Sequence, residues 1–138
     1  MAGEFVHAKA GEADRVELTD EDIAQLRGRD LVLLHNHPSG GGLTPADFGI
    51  GCLLGLREII AFAPRYRYRL ARTSGDWPDA ERILRDVRQA ALEVRRAFDA
   101  RIAAGTLLPG DASLAYWHEV WRRVTRRSAD LRYTREVR

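Results

Sequence analysis

The chain has 138 residues, of which 45% are hydrophobic, and this suits one compact domain, because single domains commonly contain about 100–150 residues. Its 22 basic residues nearly balance its 20 acidic residues, so the composition excludes a strong overall field that would attract nucleic acid. Cys52 is the only cysteine, which excludes an internal disulfide, and no apolar run approaches the roughly 18 residues of a membrane span, so we expect a cytoplasmic protein.

The N-terminal segment predicts a β-hairpin followed by a short helix. Residues 4–9 alternate, imperfectly, between apolar and polar types, and residues 10–14 favour a turn before an extended pattern resumes. Thr19 and Asp22 have the spacing of a helix N-terminal capping pair. The short helix that they begin should end at Gly28, since glycine commonly follows the last helical residue.

A buried strand, a glycine-rich loop and a second helix follow. Residues 30–35 include an apolar run that suits both faces of a central strand, covered on each side, and His35 stands at the end of this strand. Residues 38–42 must form a loop. Thr44 then begins a helix that is expected to continue to about Leu56, with a proline at its first position.

The remaining residues predict two strands, two helices and a final extended segment. Residues 58–64 and 65–71 have the composition of strands. Residues 78–104 carry apolar side chains at helical spacing, and a second amphipathic helix follows the turn after Gly105. Residues 131–137 are extended in character. The fold class is therefore α/β (α+β), with a central mixed β-sheet, flanking helices and a C-terminal helical extension.

The segment HNHPSGGGLTPAD, residues 35–47, contains a candidate metal site. His35 and His37 are two residues apart at a strand end, so their side chains project to the same side. Asp47 can join them when the glycine-rich loop folds back. Two imidazoles and one carboxylate form a ligand set for zinc that leaves a fourth position open to water, as hydrolytic zinc sites require.

These residues resemble the motif of the JAB/MPN family, the JAMM metalloproteases, in which a remote glutamate precedes His-x-His-Pro and then Ser-x-x-Asp. The sequence HNHPSG looks most like that of the RadC-type branch of the family. The short lead-in and the tail with His118 and Tyr133 are similar to JAB domains of phage head-morphogenesis proteins and bacterial toxins. The resemblance implies a cytidine-deaminase-like sheet, with residues 1–75 as the metal-binding core and residues 76–138 as a helical extension packed on the same domain.

The resemblance also implies a role for each residue of the motif. His35, His37 and Asp47 would be the zinc ligands, and Thr44 would take the place of the serine that supports the developing oxyanion. Glu4 would be the general base, because it precedes an aromatic and an aliphatic residue on a predicted strand, as in several family members. Two further glutamates remain candidates for the base, Glu12 and Glu17.

The implied function is a zinc-dependent hydrolase that cleaves a peptide or isopeptide bond. Its substrate would be a protein or peptide, for example a ubiquitin-like conjugate or a phage or toxin protein. The alternative is a non-catalytic, metal-stabilised binding module, RadC-like or associated with a phage or toxin protein, within a larger protein or complex.

Three other patterns have simpler interpretations. Arg65, Arg67 and Arg69 alternate with tyrosines and suggest a nucleic-acid surface, although an edge strand with protective charges explains them as well. His118 lies between two tryptophans and suggests either a packed helical residue or a wall of the site. The triplet His-Asn-His does not predict an HNH nuclease, because the residues of that motif are spread over a larger unit.

Overall fold

The computed structural model describes residues 17–138, which form four helices and one four-stranded mixed sheet. In chain order the elements are α1 (Asp20–Leu26), β1 (Val32–Asn36), α2 (Pro45–Leu54), β2 (Glu58–Phe62), β3 (Tyr66–Arg72), α3 (Ala80–Ala103), α4 (Pro109–Arg126) and β4 (Leu131–Val137). The predicted α+β class with two long C-terminal helices is confirmed. The hairpin predicted near the N-terminus falls almost entirely outside the described residues.

The ends of the two short helices follow from local capping. Thr19 and Asp22 form a complete capping box at the start of α1, as their spacing predicts. Thr44 caps α2 in the same way, with Pro45 at the first helical position. The helix α2 ends before the predicted Leu56, because Gly55 adopts the left-handed conformation with φ 62° and stops it.

The sheet has the order β1-β2-β3-β4. The strands β1 and β2 pair in parallel, whereas β2 with β3 and β3 with β4 pair antiparallel. Parallel neighbours need a crossover connection, and α2 supplies it between β1 and β2. Among the described residues, β1 is therefore one edge of the sheet and β4 the other.

Within residues 17–138, residues 30–35 do not form the predicted central strand covered on both faces, because β1 lies at an edge of the described sheet. Val32 and Leu34 in β1 are 37% and 60% exposed, while Leu33 and His35, which alternate with them, are half-buried. The register places Leu33 beside Ile59, which is fully buried. Among the described residues, only this second face of β1 is covered, and an apolar run alone does not reveal that difference.

Truncation of Leu34 and of Ile59 should distinguish the two faces. Ile59→Ala is expected to lower the free energy of unfolding by about 2–5 kcal/mol, because it empties a fully buried position. Leu34→Ala should lower it by less than about 1 kcal/mol, because most of the side chain is already in water. Urea denaturation measures both values. Equal losses would contradict the exposed position of Leu34.

The arginines of β3 are also arranged differently from the prediction of an edge strand. That strand lies between β2 and β4, so its backbone is paired on both sides. Arg69 forms an ion pair with Glu58 on β2 at 2.8 Å, and Arg67 pairs with Glu136 on β4. The acidic partners are distant in sequence, and they account for these two charges within the sheet.

The helices α3 and α4 pack against each other and contribute much of the core. Their buried residues include Val94 and Phe98 from α3 and Val120, Trp121 and Val124 from α4. On the exposed side of this helix pair, Glu93 of α3 forms ion pairs with Arg123 of α4 at 3.2 Å and with Arg127, the C-cap of α4, at 2.7 Å. Among residues 17–138, none of the helices combines the length and the apolar composition that crossing a bilayer needs.

Candidate metal centre

Strand geometry places the two histidines of the motif together. His35 is in β1, and His37 continues the same pairing one residue beyond it, since its backbone N–H donates to the carbonyl of Phe62 at 2.8 Å. Residues two apart in an extended chain point to the same side. The two imidazole rings accordingly lie with their centroids 4.6 Å apart.

Asp47 reaches the histidines from the first turn of α2. Its Oδ2 accepts hydrogen bonds from the backbone N–H of Thr44 at 2.7 Å and from the Thr44 hydroxyl at 3.2 Å. These contacts are part of the capping box, so the bonds that start the helix also fix the direction of the carboxylate. Asp47 Oδ1 lies 3.6 Å from His35 Nε2, and Oδ2 lies 3.5 Å from His37 Nε2.

The spacing of these atoms fits one shared cation. Ligand atoms from all three residues lie within 4.8 Å of one another. The two contacts between imidazole and carboxylate, at 3.5 and 3.6 Å, are longer than ordinary hydrogen bonds. Ligands of a tetrahedral zinc ion, each about 2.0–2.1 Å from the metal, are separated by about 3.3 Å. The observed separations are therefore close to those of a coordination sphere.

The surroundings of one nitrogen in each imidazole ring, His35 Nε2 and His37 Nδ1, support the same fit. His35 Nε2 is buried and has no hydrogen-bond partner among the described residues, which is costly for a polar atom unless a ligand occupies the site. His37 Nδ1 lies 3.1 Å from the carbonyl oxygen of Gly41. Because a carbonyl only accepts, Nδ1 of the neutral ring carries the hydrogen, and Nε2 keeps its lone pair for a metal.

Burial keeps His35 in the form that a metal requires. Removal from water is the largest influence and lowers the pKa of His35 below its usual value. The carboxylate of Asp47 acts in the opposite direction, and His37 adds to the lowering. A neutral imidazole is the metal-binding form, so the environment of His35 favours coordination at neutral pH.

The glycine-rich loop between the histidines and α2 packs against α4. Gly42 is buried, and a Cβ at this position would lie 3.6 Å from the Cβ of Trp117 and 3.6 Å from the backbone nitrogen of His118. The following residue, Leu43, is fully buried. Its carbonyl oxygen accepts a buried hydrogen bond of 2.8 Å from Trp121 Nε1. No local sequence pattern predicts this contact, because the two residues are 78 positions apart.

His118 lies beside this loop as a packed helical residue and is not one of the three gathered ligands. Its side chain is 8% exposed, and Nδ1 shares a hydrogen bond of 2.9 Å with the hydroxyl of Tyr133. Burial, with Arg135 nearby, lowers its pKa to about 4, although Glu119 opposes this shift. The imidazole is therefore neutral in the folded protein at pH 7.

The depressed pKa of His118 predicts a pH-dependent loss of stability. The neutral form is favoured in the folded state, so its contribution is complete above the unfolded pKa of 6.5 and is lost as pH falls from there through about 4. We expect metal-free His118→Gln to lose less stability than the parent between pH 7 and pH 5. Denaturant unfolding at both values provides the measurement, and identical losses in the two proteins would contradict the prediction.

Of the predicted catalytic residues, one lies at the metal site, one lies outside it, and two fall outside the described residues. Thr44 is at the site, where its hydroxyl contacts Asp47. Glu17 is an exposed residue shortly before α1 and does not belong to the group of close ligand atoms. Glu4 and Glu12 lie outside the described residues, so their roles stay predictions.

The described part of the chain thus contains a group of two imidazoles and one carboxylate that could hold a metal ion. The group is half-buried, and the helix cap and the Gly41 carbonyl orient two of its three members. Comparisons of the chain with protein-family models, with curated proteins and with solved structures found no match.

Proposed function

We propose that this chain is a zinc-dependent hydrolase, similar to the JAMM metalloproteases, that cleaves a peptide or isopeptide bond. The observation that carries the proposal is the meeting of His35, His37 and Asp47 around a buried imidazole nitrogen that lacks a partner within residues 17–138. Catalytic zinc sites have three protein ligands and an open fourth position, whereas structural sites are closed by four. Among residues 17–138 the group has three members, and this number supports the catalytic type.

The chemistry divides between the ion and the side chains. Bound zinc supplies a Lewis acid and lowers the pKa of a coordinated water to about 7. Glu4 is proposed to take the proton of the attacking water and to deliver it to the leaving amine. Thr44 is proposed to support the oxyanion, for which its hydroxyl must turn from Asp47 Oδ2, 3.2 Å away, towards the substrate.

The substrate that we propose is a protein or peptide, with ubiquitin-like conjugates as the first class to test, in the cytoplasm. Residues 1–75 would form the metal-binding core and residues 76–138 a helical extension on the same domain. The packing of α4 against the glycine-rich loop supports that arrangement. Nucleic acid is not part of the proposal, because Arg67 and Arg69 already pair with acidic side chains.

The proposal is tested by metal content and cleavage together. The purified protein should contain about one zinc per chain and should cleave an isopeptide-linked ubiquitin-like conjugate or a fluorogenic peptide. A chelator should stop the reaction, and added zinc should restore it. A protein without stoichiometric zinc, or cleavage that is indifferent to the chelator, would contradict the proposal.

One observation favours the alternative, a metal-stabilised binding module. The gathered group contains a single carboxylate, Asp47, which is already a candidate ligand, so no general base is present in that group. A module needs only a closed metal site and a partner surface. Cobalt substitution distinguishes the two functions, because an exchangeable water in the coordination sphere indicates a hydrolase and a fourth protein ligand indicates a module.

A further inference from the structure

We propose that Trp121 is a positioning residue for the metal centre, so that α4 sets the geometry of the loop carrying the metal-binding contacts. The inference rests on the proposed metal site but adds a residue that the motif does not contain. Trp121 lies in a helix far from the motif in sequence, and its indole N–H donates to the carbonyl of Leu43 at 2.8 Å. Both side chains are fully buried.

The position of Leu43 in the loop connects this hydrogen bond to the orientation of two proposed metal ligands. It directly precedes Thr44, whose backbone N–H and hydroxyl hold Asp47 Oδ2. Two residues earlier, the carbonyl of Gly41 holds His37 Nδ1. A single anchor at Leu43 therefore lies between the contact that orients the imidazole and the cap that orients the carboxylate.

The loop has little stiffness of its own. Residues 38–43 include three consecutive glycines, and Gly40 has a φ of 88°, which glycine adopts at low cost. Holding a residue in one backbone conformation costs conformational entropy, so external contacts must hold such a segment. The α4 helix supplies contacts along the loop, with Leu114 beside Gly40 and Trp117 beside Gly42.

Loss of the indole donor should act on the metal through the loop. Without it the buried Leu43 carbonyl loses this hydrogen-bond partner, and an unsatisfied buried acceptor is destabilising. Movement of the loop relieves that cost, and it displaces Gly41 and Thr44 together because they flank Leu43 closely in the chain. Loss of an outer-sphere contact to a metal ligand commonly lowers metal affinity by about 10–100-fold.

Trp77 provides a matched control within the same protein. It is half-buried, and its indole N–H also donates to a backbone carbonyl, that of Leu56, at 2.6 Å. Leu56 lies after α2, beyond the loop and the cap. Both indole rings also contact Phe48 in α2. The substitutions Trp121→Phe and Trp77→Phe therefore remove the same kind of hydrogen bond, but only the bond of Trp121 ends on the loop between His37 and Asp47.

The experiment compares three quantities in the parent and both variants. Chelator competition gives the zinc affinity, visible absorption reports the geometry of the cobalt-loaded site, and the unfolding midpoint gives the stability of each metal-free protein. Both variants should be less stable than the parent. Trp121→Phe should bind zinc about tenfold or more weakly, with altered cobalt absorption, while Trp77→Phe binds like the parent. Equal zinc affinity in the two variants would overturn the positioning role of Trp121 but not the proposed metal site. Absence of zinc binding in the parent would overturn both this inference and the proposed function.

A measurement on the unmodified chain covers the case in which Trp121→Phe does not fold. The protein has three tryptophans, and their indole N–H resonances can be assigned with Trp77→Phe and Trp117→Phe. Zinc should shift the Trp121 indole resonance and slow its hydrogen exchange, with little shift at Trp77, because coupling between a site and its anchor is reciprocal. An unchanged Trp121 resonance at saturating zinc would overturn the inference.

Discussion

Replacement of His35 by leucine should lower the affinity for zinc by more than about 100-fold, because loss of a direct ligand exceeds the loss of an outer-sphere contact. The same change should leave the metal-free protein at least as stable as the parent. His35 Nε2 is buried without a hydrogen-bond partner among the described residues, so an apolar side chain of similar size removes an unsatisfied group. Chelator competition and denaturant unfolding measure the two quantities.

Lower zinc affinity together with undiminished metal-free stability would identify His35 as a metal ligand and not as a residue needed for packing. A residue needed only for packing would lower stability and affinity together, whereas a buried ligand lowers affinity alone. His118→Gln is the control, since it changes another buried histidine that lies outside the ligand group. Zinc affinity that survives His35→Leu, or a marked loss of metal-free stability, would contradict the assignment of His35.

The second large effect is expected at Glu4. Glu4→Gln should lower the cleavage rate by about 10²–10⁴-fold while the zinc affinity stays unchanged, because a general base moves a proton and does not bind the ion. Glu12→Gln and Glu17→Gln are matched controls with the same change of charge, and they should cleave within a few-fold of the parent. Steady-state rates on one fluorogenic peptide compare all three.

A different ranking of the three glutamates would change the mechanism in a defined way. If Glu17→Gln is the slow variant, the base lies just before α1 and Glu4 is not the base. If all three variants cleave like the parent, none of these carboxylates is the base. That result would favour the binding module over the hydrolase.

The features that depend on neighbouring residues could be predicted from the sequence. The side-by-side histidines follow from the two-residue period of an extended chain, and the direction of Asp47 follows from a capping pair three residues apart. The long helix α3 follows from apolar side chains at helical spacing. Each of these signals lies within one continuous stretch of the sequence, so no knowledge of the fold is needed.

The features that depend on distant residues could not be predicted. β1 looked like a central strand because its apolar run was visible, whereas its place at one edge of the described sheet depends on the pairing of all four strands. The ion pair of Arg69 with Glu58 could not be predicted, because only the β2–β3 pairing brings the two side chains together. The bond from Trp121 to the loop joins residues 78 positions apart and has no sequence pattern.

The most direct test of the metal centre is a crystal structure of the zinc-loaded protein with anomalous data collected at the zinc edge. We expect one peak per chain, with His35 Nε2, His37 Nε2 and an oxygen of Asp47 each about 2.0–2.2 Å away and a water in the fourth position. A zinc peak elsewhere, or no peak at saturating zinc, would contradict the account.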